Sequence, residues 1–331
     1  MKAADFNARD TFLRRGKELV MSFTTGPVMR MSEPLTRGRA RCSANVIVAG
    51  AILLVLCPAT AFSQTFVSVD IPGATQTFGR SINAQGDIVG FYTVPPTTRG
   101  FLRTLDGAIS TIDAPGAIQT QALGNNSLHE IAGAYRQPAD PPSQFHAFLL
   151  RLGQFISFDL PGACSSGARQ ISEAGEIVGF YTDCSGLNHG YLLARHGSFT
   201  AIDFPGAVQT QALAINPGGE IVGNYRDATG EFHGFYRARE GVMTGLDVPF
   251  LGGHGTQARG INPQGDIVGS WLDGTQGNRN RGFLLRNGVY TIIDFPGAVH
   301  TVPWAISSVG ASTGQYSLSI VPVWHGYLQT P

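Results

Sequence analysis

Residues 198–238 read SFTAIDFPGAVQTQALAINPGGEIVGNYRDATGEFHGFYRA, and this stretch decides the fold. Short runs rich in Ile, Val, Phe, Tyr and Thr alternate with turn formers, which is the pattern of β-strands joined by tight turns. TQALAIN (210–216) predicts a strand a, Pro217-Gly218-Gly219 a turn, EIVGNYRD (220–227) a strand b and HGFYRA (233–238) a strand c. SFTAIDFP (198–205) is the strand d of the preceding unit and ends in a Pro-Gly turn. Pro presets φ there and Gly takes the left-handed corner of a type II turn.

Outward from this stretch the same features recur. VDIPGA, IDAPGA, FDLPGA, IDFPGA, LDVPFL and IDFPGA place Asp at 70, 113, 159, 203, 247 and 294, at intervals of 43, 46, 44, 44 and 47 residues. A second marker ends in Gly90, Gly133, Gly179, Gly223, Gly269 and Gly314. A third reads RGFL at 99, HAFL at 146, HGYL at 189, HGFY at 233, RGFL at 281 and HGYL at 325. Self-similarity at a period of this length signals a repeat architecture.

Six four-stranded repeats predict an all-β, six-bladed β-propeller of antiparallel blades. The segment FVSVDIP (66–72) is a d-type strand before any strand a, and the chain finishes with a, b and c elements through HGYLQTP. The N-terminal strand is therefore expected to complete the last blade, removing an open edge. An open β-solenoid is the rival, but it leaves these complementary ends unexplained. Pro249-Phe250-Leu251-Gly252-Gly253 departs from the regular turn and is expected to bulge. Ser307–Thr313 lacks both the acid and the Ile-Val pair, which predicts a less well packed sixth unit.

The series resembles the HAF-type extracellular repeat proteins of bacteria, named for a His-Ala-Phe motif. The motif is literal at His146-Ala147-Phe148 and reads His-Gly-Tyr or His-Gly-Phe at 189–191, 233–235 and 325–327. Arg99 and Arg281 replace the His in two repeats. The resemblance covers about residues 66–328; it implies a secreted bacterial protein and supplies no catalytic residues.

Charged residues make up 14% of the 331, and Gly and Pro together number 62, while 43% hydrophobic content suits a packed core. Residues 1–42 hold nine Lys/Arg and four Asp/Glu, leaving 14 basic and 19 acidic residues from Gln64 onward. No basic stripe exists to neutralise phosphates, which argues against nucleic acid as a partner. Arg37, Arg39 and Arg41 precede the apolar run VIVAGAILLVLC (46–57) and the small-residue segment PATAFSQ. This reads as a secretory signal behind an unusually long N-terminal extension, residues 1–63, with 64–331 as a single six-repeat domain. The run is too short for a comfortable span of ~20 residues, so no transmembrane segment is expected in the mature protein. Leu56 is too large for a lipid-attachment site at Cys57. The expected location is secreted or periplasmic.

Beyond the leader stand two cysteines, Cys164 and Cys184, each ten residues from Ala174. A hairpin turning there sets them opposite each other, so a cross-strand disulfide is expected, with two free thiols as the alternative.

The d–a and b–c connections share one face of such an array. That face displays the candidate ligand residues Gln121, Asp183, His189, Gln211, Asp227 and His233. Amides, carboxylates and aromatic rings at a concave mouth suit carbohydrate hydroxyls and pyranose faces. On the opposite face, Asp87, Glu130, Glu176, Glu220 and Asp266 are each expected to support their hairpin or face water, and the six repeated Asp to bond turn amides. No GxSxG, HExxH, phosphate loop or dinucleotide fingerprint occurs, so no catalytic, metal or cofactor residue is assigned. The resulting expectation is a monomeric, non-enzymatic binding or protein-interaction scaffold whose partner is an extracellular protein or glycan. The alternatives are a carbohydrate- or cell-wall-binding module and a propeller-fold lyase or glycoside hydrolase.

Overall fold

The computed structural model describes residues 65–331; the expected leader, cleavage site and extension lie outside the described residues. Unit 4 shows how each repeat is built. Its strands a to d are Gln209–Ile215, Ile221–Arg226, Phe232–Arg237 and Met243–Leu246, hydrogen-bonded in sequence order as an antiparallel meander. Gly73, Gly116, Gly162, Gly206 and Gly297, the glycines of the regular Pro-Gly turns, have φ of 73–80°, the left-handed corner that such a turn requires.

Sequence-order antiparallel pairing excludes the stacked rungs of a solenoid. The expectation of six separate blades is corrected. Four sheets are separate, open and four-stranded, three of them meanders in sequence order, whereas the remaining eight strands form one sheet. That sheet carries units 1 and 2, joined where Thr98 in strand c of unit 1 pairs in parallel with Gln119 in strand a of unit 2. No sheet curls onto itself. Thr65–Ser68 lies at the edge of the sheet of unit 6, antiparallel to His325–Thr330, with Thr65 opposite Thr330 and Ser68 opposite Tyr327.

Each neighbouring pair of units shares an apolar cluster. Val89 and Ile112 of unit 1 pack with Ala122 and Phe148 of unit 2, and Val178 and Ile202 of unit 3 with Ile215 and Phe235 of unit 4. Ile82 and Phe101 of unit 1 likewise join Ala305 and Ala311 of unit 6. The aromatics of the third marker, Phe101, Phe148, Tyr191, Phe235, Phe283 and Tyr327, are all fully buried. Each stands opposite the glycine of the second marker across strands b and c, as Phe235 does Gly223. A Cβ on Gly223 would overlap both the Gln211 carbonyl and the Phe235 ring, so the two markers are one packing device.

Unit 6 departs from expectation. Strand b there (Ser312–Ser317) is buried along its whole length. Polar bonds replace the missing Ile-Val pair: Ser312 Oγ donates to Gln329 Oε1 at 2.7 Å and Thr313 Oγ1 to the Tyr327 carbonyl at 2.7 Å. In unit 5 strand a (Gly253–Ile261) carries an extra register shift between His254 and Gln257, where the irregular turn enters.

Candidate functional site

Five of the six a strands begin with the same anchor. The buried Thr77, Thr120, Thr210, Thr256 and Thr301 accept through Oγ1 from the backbone N–H of Ile71, Ala114, Phe204, Val248 and Phe295, at 2.9–3.2 Å. Three residues further on, every a strand carries a β-bulge, between Gly79 and Ser81, Ala122 and Gly124, Ala168 and Gln170, Ala212 and Ala214, Ala258 and Gly260, and Pro303 and Ala305. The extra residue of a bulge is re-aimed away from the regular alternation. Here the six extra residues are Arg80, Leu123, Arg169, Leu213, Arg259 and Trp304, and all six line one cavity of about 30 Å³. Six strands, one from each unit, thus converge on a waist that alternates Arg with Leu, Leu and Trp.

The arginines of this waist lack acidic partners: none of the ion pairs among the described residues involves them. Trp304 takes the guanidiniums of Arg80 and Arg259 over its ring at 3.8 and 3.9 Å, and Arg169 lies over Phe180 at 4.7 Å. Arg259 is further fixed by Ser270 Oγ at 3.1 Å and Gln257 Oε1 at 2.6 Å. Nε and Nη1 of Arg80 and Nε of Arg169 are buried and find no acceptor within the protein. The side chains are half-buried as wholes, because the cavity leaves part of each guanidinium open. Burial, then the charges of Arg169 and Arg259, hold Arg80 well below the usual arginine range. Burial pushes Arg169 down to about 10, and burial with the charge of Arg169 pushes Arg259 down to about 9. Arg169 and Arg259 therefore remain protonated at neutral pH, and no carboxylate lines the waist beside them.

The cavity shares walls with two larger pockets. Toward the a–b turns it meets a mouth of about 250 Å³, with Ile82, Ile171, Ile215, Ile261 and Ile306 on its wall. Toward the other face, Leu123 and Arg169 also line a cleft of about 230 Å³ between units 2 and 3.

The candidate ligand residues are dispersed by comparison. Gln121 lines the cleft between units 2 and 3, and Gln211 is half-buried on strand a of unit 4. His189 is held between Asp203 (3.0 Å) and Asp183 (3.5 Å), and His233 between Asp247 (3.0 Å) and Asp227 (3.4 Å). Their rings stack on Tyr181 and Tyr225. His146 sits in the same way between Asp159 and Asp140, and Arg281 between Asp294 and Asp273. The repeated Asp of the first marker is thus, in these units, the partner of the strand c cation; its expected role toward turn amides is corrected. Burial works against charge on His146 and His233, but hydrogen bonds and charge from the flanking Asp outweigh it and raise both above the ordinary value. On the other face Glu130 receives Arg151 (2.6 Å) and Arg195 (3.3 Å), and Asp266 receives Arg286 (2.9 Å). Among the described residues no three metal-ligating side chains converge.

Cys164 and Cys184 form a disulfide across strands a and b of unit 3, with Cα atoms 5.1 Å apart. It adjoins Ser165 and lies two residues beyond Thr182, both on the wall of the cleft.

In the sequence the waist arginines stand apart neither by net charge nor by a basic stripe. A signal was present: aligned by repeat, the third residue after the anchoring Thr, or after Ser166 in unit 3, reads Arg, Leu, Arg, Leu, Arg, Trp.

No family model matches the chain, and no curated protein matches it. Solved structures similar in fold include a protein described only as a candidate gluconolactonase (13% identity, 81% of this chain, 93% of that chain, TM-score 0.50). Virginiamycin B lyase from Staphylococcus aureus matches at 13% identity over 81% of this chain and 100% of that chain, TM-score 0.44. AofleA from Arthrobotrys oligospora matches at 14% over 80% and 85%, TM-score 0.48. At such identity the likeness concerns the fold alone. Together with the four-stranded antiparallel units, the likeness at a TM-score of 0.50 places the chain in the β-propeller class.

The expectation of a non-enzymatic protein-interaction scaffold is corrected by the waist. That expectation called for a broad face without a deep pocket, whereas three arginines without carboxylate partners line a cavity at the waist. No helix among the described residues is long and apolar enough to cross a membrane.

Proposed function

We propose that this protein binds a small anionic molecule, whose charged group enters the axial waist and is held by Arg80, Arg169 and Arg259. One observation carries this reading: three guanidiniums face one cavity with no carboxylate opposite them and with buried N–H groups that lack acceptors. An unpaired buried donor costs about 1–3 kcal/mol, more when charged, so such an arrangement is held against a gradient that a ligand would relieve. Charge-assisted bonds from arginine to a carboxylate or phosphate are the strong ones, because the planar fork matches the acceptor. A cavity of about 30 Å³ fits one small anionic group, with the rest of the molecule in an adjoining pocket. No carboxylate, histidine, cysteine or hydroxyl lines the waist, so its groups can bind and orient but have no ordinary general base among them. The leader-like segment and the disulfide support a secreted or periplasmic setting.

Thermal denaturation at constant ionic strength tests this. Citrate, phosphate or sulfate in place of chloride should raise the midpoint, by about 2.7 kcal/mol of stabilisation at one hundred times the dissociation constant. The gain should vanish in Arg169→Leu. An equal response of the variant and the parent protein would sink the proposal.

A further inference from the structure

The cleft beside Arg169 gives the ligand a body as well as a charge. Resting on the anion-binding reading above, we infer that the ligand is an acidic sugar, a polyhydroxylated ring bearing a carboxylate or phosphate. Its acidic group would reach Arg169 at the waist and its ring would lie in the cleft between units 2 and 3.

The cleft wall has two chemistries. Gln121 on strand a of unit 2, Ser143 on the 137–145 connection, and Ser165 and Thr182 on unit 3 supply amide and hydroxyl groups. Phe145 and Phe180 supply aromatic faces. Hydroxyl-rich walls discriminate in favour of ligands that can return each hydrogen bond, whereas aromatic faces take the C–H surface of a ring. A sugar presents both surfaces at once, whereas a simple aliphatic acid lacks the hydroxyls. Arg169 ties the two regions together, since it lines both cavities, lies over Phe180 at 4.7 Å and keeps a buried Nε without an acceptor. The cleft has no equivalent acid on its wall to repel a carboxylate or a phosphate. The Cys164–Cys184 bridge adjoins the cleft-wall residue Ser165 in the chain.

Isothermal titration of the purified full-chain protein, with circular dichroism to verify folding of each variant, separates this inference from the reading it rests on. The probes are galacturonate and glucose 6-phosphate, set against neutral galactose, acetate and inorganic phosphate. The acidic sugars should bind about tenfold or more tighter than galactose and than the simple anions, the better of the two identifying the acidic group. Gln121→Ala and Ser143→Ala should weaken the acidic sugars by about two- to tenfold and leave acetate and phosphate unchanged. Arg169→Leu should remove binding of every anion. If simple anions bind as tightly as acidic sugars and the cleft variants change nothing, the sugar inference is overturned while the anion site stands. If galactose binds as tightly as galacturonate, the link to Arg169 is wrong. Failure of all anions would remove both readings.

Discussion

Arg281 and Arg169 occupy two regions of one repeat architecture and live in opposite surroundings. Arg281 begins strand c of unit 5 between Asp273 and Asp294, and although burial works against its charge, those two carboxylates hold its pKa above the ordinary value. Arg169 sits on a strand a bulge, meets no carboxylate, and is pushed down to about 10 by burial. The difference teaches which charges belong to the fold. In units 2 to 5, periodic cations paired with two acids tie the b–c loop to the next d–a turn. Cations on alternate repeats that line one cavity without acids have no such pairing to account for them, and on the proposed reading they serve a ligand.

The largest break in that comparison is Arg281→Leu. Asp273 is buried, and removing its cation leaves its charge with only the Thr275 N–H and hydroxyl as partners, so chemical denaturation should show a loss of about 3 kcal/mol. The same replacement at the waist should act in the opposite direction. Arg169→Leu copies what units 2 and 4 already carry in Leu123 and Leu213, and it removes an unpaired cation from a desolvated site. Without ligand the variant should be about 1–2 kcal/mol more stable, read as a higher denaturation midpoint at unchanged slope. A destabilised variant would show the waist arginines to be structural, as Arg281 is.

The smallest effect concerns the titratable versions of the Arg281 position. His146 and His233 have folded-state pKa values raised above the ordinary ~6.5. A raised value means the charged form is favoured by folding, so this stabilisation is full below about pH 6.5 and is lost as pH rises through the raised value. His233→Arg, which imitates unit 5, should flatten the fall in thermal midpoint between about pH 6 and 8. An unchanged slope would mean that the Asp227–His233–Asp247 chain contributes nothing that depends on protonation.

Much of this was legible in the sequence, and for local reasons. Pro205-Gly206 fixes a turn by its own φ preferences, and Ile221-Val222 and Phe235-Tyr236 mark strands by side-chain shape. The Gly223 and Phe235 columns required no tertiary knowledge to recognise, although their meeting as one packing unit did. Cys164 and Cys184 could be paired because a hairpin relates them by counting. The link between Thr98 and Gln119, which fuses units 1 and 2 into one sheet, left no trace, since a single parallel pair depends on how two units lean together. Nor did the polar packing of unit 6, where Ser312 and Gln329 do with hydrogen bonds what Ile and Val do elsewhere.

The sequence by itself determined the repeat, its strands, its turns and its disulfide, because each follows from covalent preference or from neighbours within one hairpin. The site was decided by tertiary structure alone. Arg80, Arg169 and Arg259 lie about 90 residues apart along the chain, and in a regular strand nothing requires them to point the same way. A bulge in each strand turns them inward, and the arrangement of six units around one cavity sets them face to face. Charge convergence is a property of that geometry, which no single repeat contains.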